Sequence, residues 1–286
     1  MNISDLRKSY HQQLCSNVVK INKTSNPYPN FSDTSSKASI AIGLKILDLI
    51  GFPVQEGHEK EQTVGKKFEK YTRDFIEASF SLMMHLRPGE WVYSIKQKEI
   101  SRFDQYQHLA NIEIKIKHDK DLSSALGRDY LVTPDIIVAR SPLSDEEINR
   151  NGDIVTKNDI FSSFTPLRKR NLSNQNIKIL HASISCKWTI RSDRSQNTRT
   201  EALNLIRNRK GNLPHIMAVT AEPLPTRIAA LALGTGDLDC VYHFALNELR
   251  EAVSFLENDD QKDILNIMVN GNRLRDISDL PFDLAI

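Results

Sequence analysis

Apolar residues recur along this chain in two rhythms, and the change between them divides it. Up to about residue 90 the spacing is helical. Residues 1–20 predict a short polar helix. Residues 22–36 (NKTSNPYPNFSDTSS) are rich in turn formers. Ser35 or Ser36 then caps a helix whose apolar positions Ile40, Ile42, Leu44, Ile46, Leu47 and Ile50 end at Gly51. A second long helix over 60–86 carries Phe68, Tyr71, Phe75, Ala78, Phe80 and Leu82, and Pro88-Gly89 stops it. The stretch 103–126 alternates at Ile112, Ile114 and Ile116, yet Tyr106, Leu109 and Ala110 also suit a helix. Its lack of turn signals favours the helix.

Beyond Gly127 the apolar residues come in runs. Residues 130–139 (YLVTPDIIVA) predict a buried strand. Residues 177–190 (IKILHASISCKWTI) predict a long one that passes from buried to exposed. The polar stretch 141–176 between them is expected to be a hairpin excursion with loops. Helices are expected over 198–209 and 245–258, and strands over 213–220 and 228–240. Strands alternating with helices give an α/β protein with a mixed central sheet. We expect one domain over 1–286, with a helical region to about residue 90 and a core over about 91–286.

Composition narrows the function classes. The chain has 286 residues, 40% of them hydrophobic and 26% charged, which suffices for a sizeable core. Its formal net charge of +2 is too small for a protein that coats nucleic acid non-specifically, so any nucleic-acid contact must be local. Cys15, Cys186 and Cys240 stand far apart and form no CxxC pair, which argues against zinc sites and a disulfide framework. The polar N-terminus has no signal-peptide core, and no apolar run approaches the ~18 residues of a membrane span. A soluble, cytoplasmic protein with no membrane partner is expected.

The candidate chemistry lies at the strand ends. Asp135 follows Pro134 inside an apolar run, where a carboxylate costs free energy unless paired or bound to a cation. On its own, such an Asp also caps turns. Ser185 and Lys187 lie two apart on the long strand and share a face, with Cys186 on the other. A Lys at such a strand end is commonly only a side chain reaching water. Glu201 opens the expected helix EALNLIRNR, where a Glu complements the helix dipole. Together, Asp, strand Lys and Glu supply the parts of Mg²⁺-assisted phosphodiester hydrolysis: carboxylates for the ion, and a cation beside water and phosphate. Arg191-Ser192-Asp193-Arg194 follow directly. Arg donates in pairs to guanine and Asp accepts from cytosine, although most charge runs are solvated surface. From Lys187 to Lys210 there are seven basic and two acidic residues, and Arg168-Lys169-Arg170 form another basic cluster suited to phosphate.

Pro134-Asp135, Ser185-x-Lys187 and Glu201 resemble the PD-(D/E)xK nucleases. Arg191-Ser192-Asp193-Arg194 resemble, more narrowly, the type II restriction endonucleases that cut CCGG-containing sites. The chain departs from the broad pattern at Ser185, where most such nucleases have an acid; in the CCGG group a later helix supplies it, and Glu201 matches. The resemblance implies a restriction-endonuclease-like mixed sheet flanked by helices and a Mg²⁺ cofactor. It also implies double-stranded DNA cut at GCCGGC with 5′ overhangs, and a homotetramer built as a dimer of dimers. A cognate methyltransferase would act on the same site in the bacterial cytoplasm. Asp135 and the Cys186 carbonyl would be the inner metal ligands, and Glu69 an outer carboxylate. Arg191, Asp193 and Arg194 would read the central CCGG, Gln62 would reach the minor groove, and Asp33, Ser35 and Arg227 would serve the outer base pair. A sequence-specific binder without catalysis, or a repair nuclease without strict sequence preference, would share part of this pattern. The first needs neither Asp135 nor Lys187, and the second does not need the Arg-Ser-Asp-Arg run.

Overall fold

The computed structural model describes residues 1–22, 25–96, 99–121, 124, 132–158, 160–168, 177–190, 192–234, 236–256 and 258–286; the side chains of Lys117 and of residues 192–195 lie outside that description. The helical rhythm of the first ninety or so residues becomes α1 (Ile3–Asn17), α2 (Lys37–Ile50) and α3 (Glu61–Ser81). Ser36, not Ser35, caps α2, its hydroxyl accepting from the Ser39 N–H at 3.2 Å. Gly51 ends α2 in the left-handed region at φ 74°, which glycine adopts without a Cβ clash. Between these helices lies a small sheet that periodicity does not announce: β1 (Lys20–Asn22), β2 (Tyr28–Pro29) and β3 (Gln55–Glu56), ordered β2-β1-β3. Strands of two or three residues are too short to carry a period.

Among the described residues the main sheet has six strands in chain order: β4 (Trp91–Ser94), β5 (Ile136–Arg140), β6 (Ile179–Lys187), β7 (His215–Thr220), β8 (Cys240–His243) and β9 (Leu274–Asp276). β4, β5 and β6 pair antiparallel, whereas β6 to β9 run parallel, so the sheet is mixed and β6 is where it changes sense. Pro134 stands just outside the ladder, which opens at Ile136 opposite Ile184. The pairing slips at Val138/Ala139, leaving His181 without an opposite residue. Beside it Gln105 docks on β6, donating to the Leu180 carbonyl at 2.8 Å and accepting the Leu180 N–H at 3.0 Å.

The stretch 103–126 turns through 3₁₀ geometry at Asp104–Leu109 into α4 (Ala110–His118), as its helical pattern predicts, and later residues lie partly outside the description. Helix α5 (Ser192–Asn208) starts six residues earlier than its apolar pattern, because its opening turns are polar. The expected strand over 228–240 is overturned. Pro225–Ala232 form a helix, α6, with Pro225 in its first turn, and the strand begins only at Cys240. Proline is pre-shaped for a helix start, and its lost N–H is one the helix does not use. α7 (Leu246–Phe255) and α8 (Asp259–Asn270) follow, with β9 after them. In place of a hairpin, the described part of 141–176 carries a short helical turn at Asp145–Ile148 and one bridge between Leu143 and Arg168. None of the helices is long and apolar enough to cross a membrane, among the described residues.

Helix α1 and the far edge of the sheet are tied by one side chain. The Arg7 guanidinium donates to both oxygens of Glu248 on α7, at 2.8 and 2.6 Å, and to both oxygens of Asp276 on β9, each at 2.8 Å. Breaking such a half-buried network from one side leaves carboxylates without their cation, at a cost of roughly 3–5 kcal/mol when burial is full.

Candidate active site

The C-terminal end of β6 and the N-terminal approach to β5 meet because the two strands are antiparallel, which sets Asp135 beside Ser185. Burial along β6 follows the expected switch: Leu180 to Ile184 are buried, Ser185 and Lys187 are half-buried, and Cys186 is buried between them. Three consecutive residues of β6 converge on one oxygen of Asp135. The Cys186 N–H donates to Oδ2 at 2.8 Å, the Ser185 hydroxyl at 3.3 Å, and Lys187 Nζ at 3.3 Å. None of these bonds uses Oδ1. The period of two explains the division of labour, since side chains 185 and 187 share a face while residue 186 reaches Asp135 through its backbone alone.

Glu201, in the third turn of α5, approaches from the same face. It lines a narrow recess with Pro134 and Ser185. Burial raises its pKa, Lys187 pulls it back down, and Asp135 adds to the rise, so its charge is felt within the Asp135–Lys187 pair. Glu69 lies on α3. It lines a cleft of about 690 Å³ with Asp135, Cys186, Lys187, Asp33 and Arg227. Six sequence-predicted residues are thus gathered at one cleft, with Ser185 and Glu201 adjoining through the recess.

The outer candidates divide. Asp33 and Arg227 form an ion pair across the cleft. Ser35 is held by Asp33, whose Oδ1 accepts both the Ser35 N–H at 2.9 Å and its hydroxyl at 2.8 Å. The Ser35 backbone bond leads the causes that lower the Asp33 pKa, and Arg227 adds to it. Gln62 is exposed on the first turn of α3 and is not among the residues lining the cleft. Arg191 and the side chains of Asp193 and Arg194 lie outside the described residues; the backbone puts Asp193 and Arg194 in the opening turn of α5. The reading of Arg168 as a phosphate-facing charge is corrected. Arg168 is buried and donates to both oxygens of Asp145, at 2.6 and 2.8 Å, and to the carbonyls of Thr156 and Phe161, so it braces a loop rather than presenting charge to phosphate. Lys169 and Arg170 lie outside the described residues.

The residues that hold this cleft in shape were not singled out from the sequence. Trp188, directly after Lys187, packs at 5.6 Å from Phe31, 5.0 Å from Phe68 and 6.4 Å from Phe244, between ring centroids. Phe31 is two residues from Asp33 and Phe68 is next to Glu69, so one aromatic cluster fixes three cleft-lining segments. On α5, Arg199 donates to Asp237 at 3.0 Å, holding the helix to the loop before β8. The available signal was a lone carboxylate or aromatic near a strand end, which does not reveal its partner.

Among the described residues no three Asp, Glu, His or Cys side chains gather closely enough to form a metal cluster. That does not disqualify Mg²⁺, which commonly binds through one or two carboxylates and completes its shell with water and phosphate oxygens. Asp135, oriented through Oδ2, and the nearby Glu201 are a donor set of that size and hardness.

The NgoMIV restriction enzyme family matches residues 10–286 of this chain. The type II restriction enzyme NgoMIV of Neisseria gonorrhoeae is 46% identical over 284 residues, covering 98% of this chain and 97% of that protein. Among solved structures, a complex of the restriction endonuclease PspGI with substrate DNA aligns at a TM-score of 0.26 and 13% identity, over 99% of this chain and 92% of that one. That likeness is too slight to bear on the fold.

Proposed function

Because the chain belongs to the NgoMIV restriction enzyme family and is a DNA-binding type II restriction endonuclease, we propose that it hydrolyses GCCGGC in double-stranded DNA with Mg²⁺, leaving 5′-phosphates and 5′ overhangs. The observation that carries this reading is the convergence of Ser185, Cys186 and Lys187 on Oδ2 of Asp135, at a cleft that also contains Glu69. Asp135, the Cys186 carbonyl and Glu201 would hold the ion, with Glu69 bonding to its water. When bound, the ion offsets the charge that builds on phosphate, attacking oxygen and leaving oxygen.

The chain's own groups do the rest. Lys187 orients the attacking water and donates to the phosphate oxygens. As the water oxygen bonds to phosphorus it gives up a proton to solvent, the P–O3′ bond breaks, and the 3′ oxygen takes a proton from solvent as it leaves. Ser185 and the Cys186 N–H keep Asp135 aligned throughout. Arg191, Asp193 and Arg194, at the start of α5, read the central CCGG; Asp33, Ser35 and Arg227 serve the outer pair, and Gln62 the minor groove. A palindromic site is matched by two-fold symmetry of the protein, and the assembly we propose is a homotetramer of two such dimers. A cognate methyltransferase would protect the host's copies of the site in the cytoplasm.

The test is digestion of a mixed-sequence plasmid with Mg²⁺, with the ends mapped. Discrete fragments opening at GCCGGC support the proposal. A smear, discrete cutting at another sequence, or cutting unaffected by chelation overturns it. The mass in solution decides the tetramer, at four times 32.6 kDa.

A further inference from the structure

Glu222 is a carboxylate for which the cleavage reaction has no use, and it is fully buried two residues beyond the end of β7. Its two oxygens accept from two different chain segments. Oε2 takes the Ile190 N–H at 2.9 Å, and Oε1 takes the Leu224 N–H at 3.2 Å. Glu222 is itself fixed from behind. Its N–H donates to Thr220 Oγ1 at 3.1 Å, and its carbonyl accepts from His243 Nε2 at 3.2 Å. Since His243 Nδ1 accepts the Ala245 N–H at 3.1 Å, the ring proton sits on Nε2. Burial keeps that imidazole neutral, with its pKa lowered to about 4.

The two N–H groups belong to consequential places. Ile190 immediately precedes Arg191 and stands two residues before α5. Leu224 immediately precedes Pro225, the first residue of α6, which bears Arg227. We propose that Glu222 is a positioning residue that holds the start of the Arg191–Arg194 segment and the start of the Arg227 helix at a fixed separation. Inner and outer base pairs would then be read as one unit, in register with Lys187. This inference rests on the reading above that those two segments contact bases.

The chemistry of the side chain supports that role. The two N–H donors are met here by separate oxygens, one each, and a carboxylate presents an acceptor in both positions. Glutamine would turn an N–H₂ toward one donor and leave that buried donor unsatisfied. The carboxylate is kept despite its burial, which raises its pKa to about 7 even though both backbone bonds and Arg227 lower it. A merely space-filling position would be served better by an apolar residue.

Glu222→Gln tests the role, using the full chain with Mg²⁺ on duplexes with GCCGGC, with one inner pair changed, or with one outer pair changed. We expect KM for GCCGGC to rise about tenfold, as the loss of one buried hydrogen bond would give. We expect kcat to fall by less than about threefold, and discrimination to weaken at inner and outer pairs together. Arg194→Ala and Arg227→Ala are the references, expected to relax the inner and the outer pair respectively. If both references lose discrimination while Glu222→Gln keeps the wild-type ratios, the positioning role is overturned and base reading stands. If neither reference changes, base reading fails and this inference falls with it. A fall in kcat at constant KM also overturns it. Should Glu222→Gln not fold, Glu222→Asp keeps both oxygens on a shorter arm and must give the same split in weaker form. Wild-type ratios in that variant overturn the proposal.

Discussion

Cys186 donates its backbone N–H to Oδ2 of Asp135 at 2.8 Å, so the carboxylate is aligned by a group that side-chain substitution at 186 leaves in place. Asp135→Ala removes the carboxylate without disturbing the β5–β6 ladder, which begins at Ile136. Cleavage of GCCGGC plasmid should vanish. Binding, followed by gel shift without Mg²⁺, should persist or tighten, because a negative charge facing phosphate is lost. Residual cutting at the wild-type rate would remove Asp135 from the reaction.

Lys187 pairs with Asp135 with both side chains about a fifth exposed, at 21% and 22%. Asp135 keeps the Ser185 hydroxyl and the Cys186 N–H when Lys187 is removed, so the loss of this one 3.3 Å contact should cost little stability. Lys187→Ala should therefore keep its unfolding midpoint while the single-turnover rate falls by about 10²–10⁴. A large loss of stability accompanied by a modest loss of rate would mark Lys187 as structural.

Asp33 engages Ser35 through Oδ1 and Arg227 through Oδ2. If Asp33 aims Arg227, removing either should have the same consequence. Asp33→Ala, Arg227→Ala and the double variant should lose outer-pair discrimination equally, within about 0.5 kcal/mol. Simple addition of the two single effects would mean that the residues act separately. Ser35→Ala should follow Asp33→Ala in direction and be milder, since Ser35 acts through it.

Glu222 makes stability depend on pH in a definite direction. Its folded pKa is raised from the ordinary 4.5 to about 7 by burial. Between those values the unfolded chain has released this proton and the folded chain still holds it, so stability falls as pH rises. Glu222→Gln cannot titrate. The difference in urea unfolding free energy between wild type and variant should therefore change between pH 4.5 and 7, with the wild type losing ground. A difference that stays flat over that window would contradict the raised pKa.

The Asp135 end of the candidate site was legible because it obeys a short-range rule. Alternation along IKILHASISCKWTI put Ser185 and Lys187 on one face and marked where the strand leaves the core, and both hold in the fold. Asp135 was legible as a carboxylate in an apolar run. Glu201 was placed in a helix, but that it turns toward Lys187 is a matter of packing. The misreadings came where local pattern and tertiary context disagree. Residues 228–240 are apolar enough for a strand, yet Pro225 starts a helix and the true strand is β8. Arg168 looks like surface charge until its partners Asp145, Thr156 and Phe161 are known. Glu222 sits in the run AVTAEPLP with no local sign that Ile190, 32 residues earlier, donates to it.

The chain has two tryptophans, and they occupy opposite circumstances. Trp91 lies on the edge strand β4, 4.8 Å from the His181 ring and 5.1 Å from Phe80. Trp188 borders the cleft beside Lys187. Removing the first as Trp91→Phe would leave a single indole emitter at the cleft itself, with the chain otherwise label-free. DNA entering there should shift the colour and yield of that emission before any bond is cut. The same aromatic residue that braces the cleft can therefore time the encounter optically, apart from the chemistry that follows it.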